Sequence, residues 1–219
     1  MSYFPKEMHD ALIADPAKIE DYYVQDWKKF AYDLGPVDYG LTLGPSILPV
    51  AYAAIAAWDL KPYGPEFGVS LDEILASPSL ACDNYVRLTW YFTEFMPQVT
   101  WAPAKCVALG WNGGAAGNHA QMLVNDGTNT LMLDPTIGLV VRGVTFDTLL
   151  QGKSVETDSV ASFESYNNYN GTSGAFTKTI KDAIMQGQYK PIDLMYYVKT
   201  LDKYIHMPAS TSWLTPQGI

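Results

Sequence analysis

The sequence predicts an α+β domain, with helices first, a cluster of antiparallel strands in the middle and helices again at the end. Three observations predict it. Apolar residues recur at helical spacing through the first third of the chain. The middle third breaks into short β-rich runs divided by turn residues, and helical spacing returns after residue 176. No internal repeat or linker composition divides the 219 residues, which suit a single domain (1–219) with a sizeable core.

The elements follow in order. Asp15 is a capping residue, Pro16 suits a first helical position and Gly35-Pro36 is a stop; between them Ile19, Tyr23, Trp27, Phe30 and Leu34 form an apolar stripe. "ILPVAYAAIAAWDLKP" reads as a second, largely buried helix ending before Pro62. "SLDE" at 70–73 is a capping-box pattern that opens a short helix from Leu71 to about Ala76. After Ser77-Pro78-Ser79 comes "LACDNYVRLTWYFTEFM", apolar on most sides, with Asp83, Arg87 and Glu94 on one strip and Pro97 at its end. Such a helix belongs in the middle of a domain. "AKCVALGW", "NHAQMLVN", "TLMLD" and "GLVVRGV" read as strands. "VTFDTLLQG" suits a short helix, and the polar 154–174 segment suits a strand and an exposed loop. Two helices are expected to close the chain, about Phe176 to Met185 and about Pro191 to Ile205. The second would carry Leu194, Tyr197, Val198, Leu201, Tyr204 and Ile205 as its stripe.

Charge excludes some functions. With 14 Lys+Arg against 23 Asp+Glu the net charge is -9, and no basic run offers itself to a phosphate backbone or an anionic membrane. The N-terminus lacks a basic head followed by an apolar run. The longest apolar stretch is about a dozen residues where a spanning helix needs roughly 20. The expectation is a soluble protein without a signal peptide, cytoplasmic by default. Two cysteines, Cys82 and Cys106, make neither a disulfide framework nor a zinc spacing. With no metal cluster and no phosphate loop, no metal and no cofactor is expected.

Chemistry concentrates in "AGNHAQMLVNDGTNTLMLDPTIG", residues 116–138, which holds one of three histidines. Asp126-Gly127 signals a two-residue hairpin turn, because both central residues need positive φ. That turn pairs Asn125 with Thr128 and sets His119 directly opposite Asp134, where β-carbons lie about 4.5–5.5 Å apart. A three-residue loop would turn Asp134 away, and a four-residue loop would put Thr136 opposite His119. A histidine oriented by a carboxylate is a base in want of a nucleophile. Cys82 is the better candidate. With Ser79 as N-cap it would lie in the first turn of a helix, where the dipole and free amides favour a thiolate and its own N–H can donate to an oxyanion. Cys106 lies in a strand-like run and reads as a buried, inert thiol.

These pieces together resemble the transglutaminase-like (papain-related) cysteine enzyme superfamily. Its pattern is a Cys opening a central helix, a strand ending in Gly, a strand opening with "HA", and a returning strand ending in "DPT". Here they read "LACDNYVRLTWYF", "KCVALGW", "NHAQMLV" and "LMLDPTIG", with 37 residues from Cys82 to His119 and 15 from His119 to Asp134. The resemblance covers about residues 70–150. It implies a central helix packed on an antiparallel sheet, here flanked by N- and C-terminal helices. It also implies a catalytic triad of Cys82 as nucleophile, His119 as base and then acid, and Asp134 orienting the imidazole. Two departures stand out. Gln121 replaces the aromatic that often follows "HA"; on the hairpin reading it shares a face with His119 and is a candidate substrate contact, or else a polar strand residue. No upstream Asn, and no Gln between Gln25 and Cys82, offers the second oxyanion donor, which leaves Trp58 through its indole N–H, or a tyrosine.

Other candidates are weaker. "WNGGAAGN", with Trp111 and Asn118, suits either a substrate loop or a plain connection. His9 and His206 read as surface residues, and the Tyr/Asn-rich 163–170 segment as a solvated loop or a partner contact. The expected function is cysteine-dependent acyl transfer on amide bonds of a protein or peptide, through a thioester. With water as acceptor this is a thiol protease or amidase, a hydrolase; with an amine it is cross-linking. The competing readings are a non-catalytic structural or assembly protein on the same fold, and a Cys82–Cys106 disulfide that would end the catalytic one. Sequence leaves oligomeric state and substrate open.

Overall fold

The computed structural model describes residues 3–34, 44–65, 68, 70–97, 106–111, 119–125, 130–144, 148, 151, 154, 160–162, 182, 193–198 and 203–207. Among the described residues five helices precede a seven-stranded sheet: α1 Lys6–Ala14, α2 Ile19–Asp33, α3 Gly44–Leu60, α4 Leu71–Ala76 and α5 Cys82–Glu94. The strands are β1 Cys106–Trp111, β2 His119–Asn125, β3 Thr130–Asp134, β4 Leu139–Arg142, β5 Val160–Ser162, β6 Asp193–Val198 and β7 Lys203–Met207. They lie in the order β5-β4-β3-β2-β1-β6-β7, and every neighbouring pair is antiparallel. The α+β class and the antiparallel sheet are as the sequence predicts.

Local chemistry sets the helix boundaries. The Asp15 carboxylate accepts from the Ala17 N–H and starts a single 3-10 turn, Pro16–Lys18, that runs into α2. The α4 capping box is complete: Ser70 Oγ accepts from the Glu73 N–H, and Glu73 accepts from the Ser70 N–H. α3 begins three residues earlier than predicted, at Gly44, and is buried along its described side chains from Ile47 to Leu60. Tyr52 on α3 centres an aromatic cluster in which Phe4, Tyr23 and Phe30 meet it edge-on.

α5 packs between α3 and β2. Its start is fixed by the segment before it. The Gly64 N–H donates to the Leu80 carbonyl and the Leu80 N–H to the Pro62 carbonyl, making a parallel bridge between Tyr63 and Leu80. Asn84, fully buried one turn into α5, donates to the Gly68 carbonyl at 2.6 Å and accepts from the Gly68 N–H at 3.3 Å. The Tyr85 hydroxyl donates to the Lys61 carbonyl at 2.7 Å. Ala81, rather than Ser79, is the N-cap, and no side chain caps it. Bonding of Leu80 into the bridge with Tyr63 delays the helix by two residues, so Cys82 becomes its first residue.

Two further expectations fail. The helix predicted over Pro191–Ile205 is a hairpin instead, with Tyr196 opposite Ile205 and Tyr197 opposite Tyr204. β6 pairs with β1, whose other edge would otherwise carry a row of unmet backbone groups. "DLMYYV" and "KYIHM" are rich in aromatic and β-branched residues, and their strand preference wins over a stripe that fits helical spacing by coincidence. His9, read as a surface residue, is mostly covered: its Nε2 lies 3.0 Å from Oδ2 of the fully buried Asp59, which also accepts from the Phe4 N–H at 2.7 Å. The helices predicted at 144–152 and 176–185 fall outside the described residues, apart from Val144, which is not helical, Thr148 and Asp182, which are, and Gln151. The 163–170 segment lies outside them too, as does the side chain of His206. Among the described residues no helix is long and apolar enough to cross a membrane.

Candidate active site

The register of the β2–β3 hairpin differs from the one Asp126-Gly127 predicts. Asn125 pairs with Thr130 and Met122 with Leu133, so four residues connect the strands. Continued one step, this register sets Gln121, not His119, opposite Asp134. The slip is two residues. Side chains alternate with period two, so a slip of two keeps Asp134 on the face that carries His119 and Gln121. His119 reaches the carboxylate along the diagonal, with Nε2 2.7 Å from Asp134 Oδ2. The predicted contact is made although the predicted turn is not.

Asp134 is held from three sides. Its Oδ2 accepts from His119 Nε2 and, also at 2.7 Å, from Gln121 Nε2; its Oδ1 accepts from the Thr136 N–H at 3.1 Å. Asp134, Gln121 and Thr136 are fully buried and His119 is 4 % exposed, so no water competes for these bonds. The Thr136 contact is an Asx turn that reverses the chain after β3. Gly138 completes the turn with φ +64°, and a β-carbon there would sit 2.7 Å from the Trp58 ring. Gly143 also has positive φ, at +71°, but open space around it. Gly143→Ala is therefore expected to cost about 1–2 kcal/mol from conformation alone. Gly138→Ala adds an overpacking cost of about 1–3 kcal/mol. Urea unfolding of the two variants checks the difference.

Cys82 also interacts with the His119 imidazole, whose Nε2 is committed to Asp134. Cys82 is a free thiol of intermediate exposure, which removes the Cys82–Cys106 disulfide. As first residue of α5 its N–H has no acceptor within the helix. Burial works against a charged imidazole, but the Asp134 charge and hydrogen bond, with the Cys82 contact, outweigh it and push the His119 pKa up from 6.5 to about 10. The ring is held as an imidazolium at neutral pH.

This shift sets a pH dependence of stability. A pKa raised on folding contributes stability that is fully present below the unfolded value and is lost as pH rises through the folded one. Between pH 6.5 and about 10 the urea midpoint should fall, and the fall should be shallower in His119→Gln. Equal slopes in the two proteins would contradict the ion pair.

Next to Cys82 in the chain, Asp83 lies near the backbone N–H groups of the first helical turn, which favour its charged form. Burial nevertheless holds its pKa up, against those groups and the Arg87 charge. Burial, and then proximity to Cys82 and Asp83, raises the pKa of the partly exposed Tyr63.

Two residues expected to contact substrate or oxyanion, Gln121 and Trp58, are buried in this structure. Gln121 is sealed from solvent and spends an N–H on Asp134. Trp58, 2 % exposed, lies against Gly138 and floors the turn that carries Asp134. Trp111 stands opposite His119 in the β1–β2 ladder, with its side chain outside the described residues, as is all of Asn118 and the rest of the 112–118 loop. Among the described residues no three His, Cys, Asp or Glu side chains gather to hold a metal ion. Comparison with protein-family models, with curated proteins and with solved structures finds no match.

Proposed function

We propose that the chain is a cysteine-dependent acyl-transfer enzyme acting on amide bonds of a peptide or protein, a peptidase or amidase built on a transglutaminase-like core. The observation that carries the reading is the line of side chains Cys82–His119–Asp134, nucleophile to base to orienting carboxylate. Cys82 Sγ attacks the carbonyl carbon, and the oxyanion that forms accepts from the Cys82 N–H at the start of α5. The His119 imidazolium gives its proton to the leaving amine as the C–N bond breaks, which leaves a thioester on Cys82. The neutral imidazole then takes a proton from water. Hydroxide adds to the thioester, the C–S bond breaks, and the acid leaves with the thiolate–imidazolium pair restored. Asp134 keeps the ring oriented and stabilises its charge throughout.

Incubation with a peptide library, acid quenching and intact-mass measurement test this. A mass gain on Cys82 and shortened peptides, both absent in Cys82→Ala, are expected. Hydroxylamine in place of water as acceptor reports amine transfer, the cross-linking alternative. A folded protein that forms no adduct and cleaves nothing would overturn the enzyme reading and leave the assembly-scaffold one.

A further inference from the structure

We propose that Gln121 is a positioning residue: its amide N–H fixes the Asp134 carboxylate against His119 and sets how firmly the ring holds its proton. The inference rests on the triad reading above. Continued one step past the Met122–Leu133 pair, the hairpin register sets Gln121 directly across from Asp134, with His119 as the diagonal neighbour. The orienting contact of the site is thus the longer reach across the ladder, and the carboxylate has to be aimed along it. Gln121 and His119 both donate to the same oxygen, Oδ2, each at 2.7 Å, while the Thr136 N–H takes Oδ1. With one oxygen tied to backbone and the other shared, the carboxylate has no free rotation.

Sharing has a second effect. A lone pair of Oδ2 given to the amide is withdrawn from the imidazolium, so Gln121 tempers the pull of Asp134 on the His119 proton. The amide does this without adding charge, in a site where Asp134 is fully buried and a second carboxylate would repel the first. A glutamine kept only to satisfy a buried carboxylate would affect stability and leave the titration of the ring unchanged.

The test uses Gln121→Leu and Gln121→Glu in the full chain. Three readouts are taken: thermal unfolding, the rate of Cys82 alkylation by iodoacetamide against pH, and the His119 ring titration by NMR on protein labelled at histidine. In Gln121→Leu, alkylation at neutral pH is expected to slow by about tenfold, the scale of one hydrogen bond to a charged group. The His119 midpoint is expected to move upward. Gln121→Glu keeps the shape and donates while its carboxyl is protonated, so it should follow the wild type at low pH and depart through a new inflection as that carboxyl ionises. Folded variants with the wild-type rate and the wild-type ring titration would overturn the role of Gln121 while leaving the triad standing. If wild-type Cys82 itself reacts no faster than a free small thiol, the triad fails, and the role of Gln121 falls with it.

Discussion

Asp134→Ala is expected to destabilise the protein by about 3–5 kcal/mol, the cost of removing one partner from a buried charge pair. The carboxylate accepts from His119, Gln121 and the Thr136 N–H, and no part of it reaches solvent. Its loss leaves an imidazolium without a counter-charge and two further donors without an acceptor. The ring then gives up its proton at neutral pH, which softens the loss and removes the acid that the proposed mechanism needs. For a chain of this length the melting temperature should fall by roughly 6–20 °C. Asp134→Asn keeps the volume and one acceptor oxygen, and is expected to lose about half as much. A melting temperature within a degree or two of wild type in Asp134→Ala would mean that the three bonds do not hold the turn after β3.

His119→Ala is expected to slow acetylation of Cys82 by p-nitrophenyl acetate about 10²–10⁴-fold, the usual contribution of a positioned acid–base group. The His119 imidazole interacts with Cys82 and with the Asp134 carboxylate at once. Cys82→Ala supplies the zero of the assay. Thermal unfolding of His119→Ala separates lost chemistry from lost fold, because this variant leaves Asp134 buried without its strongest partner. A drop of less than threefold in a folded variant would take His119 out of the mechanism.

The parts of the site legible in sequence were those set by local chemistry. A thiol placed just after a helix stop, a histidine opening one strand and an Asp-Pro closing the next require no knowledge of packing. The hairpin is instructive. Asp126-Gly127 predicts a two-residue turn, yet the ladder closes through four residues, with Asn125 opposite Thr130. Local turn preference lost to the register, and the contact survived because a slip of two preserves the face. Gln121 was legible as sharing that face but not as a donor to Asp134, since sequence gives the side of a strand and not which lone pair is taken. Trp58 gave no signal for its packing on Gly138, 80 positions away, because a contact across the fold leaves no local trace. The C-terminal hairpin was missed because "DLMYYV" and "KYIHM" place apolar residues where a helix would as well. The open edge of β1 decides between the two, and no local window contains it.

The proposed mechanism needs a Cys82 thiolate paired with the His119 imidazolium, and the pH dependence of Cys82 alkylation tests that ion pair most directly. Iodoacetamide modification of Cys82 would be followed by peptide mass spectrometry from pH 5 to 10, beside a small free thiol with the reference pKa of about 8.5. The expected result is modification of Cys82 at neutral pH well ahead of the small thiol, slowed when His119 is replaced by Ala. A Cys82 that tracks the small thiol across the whole range, in folded protein, would contradict the ion pair and with it the proposed enzyme.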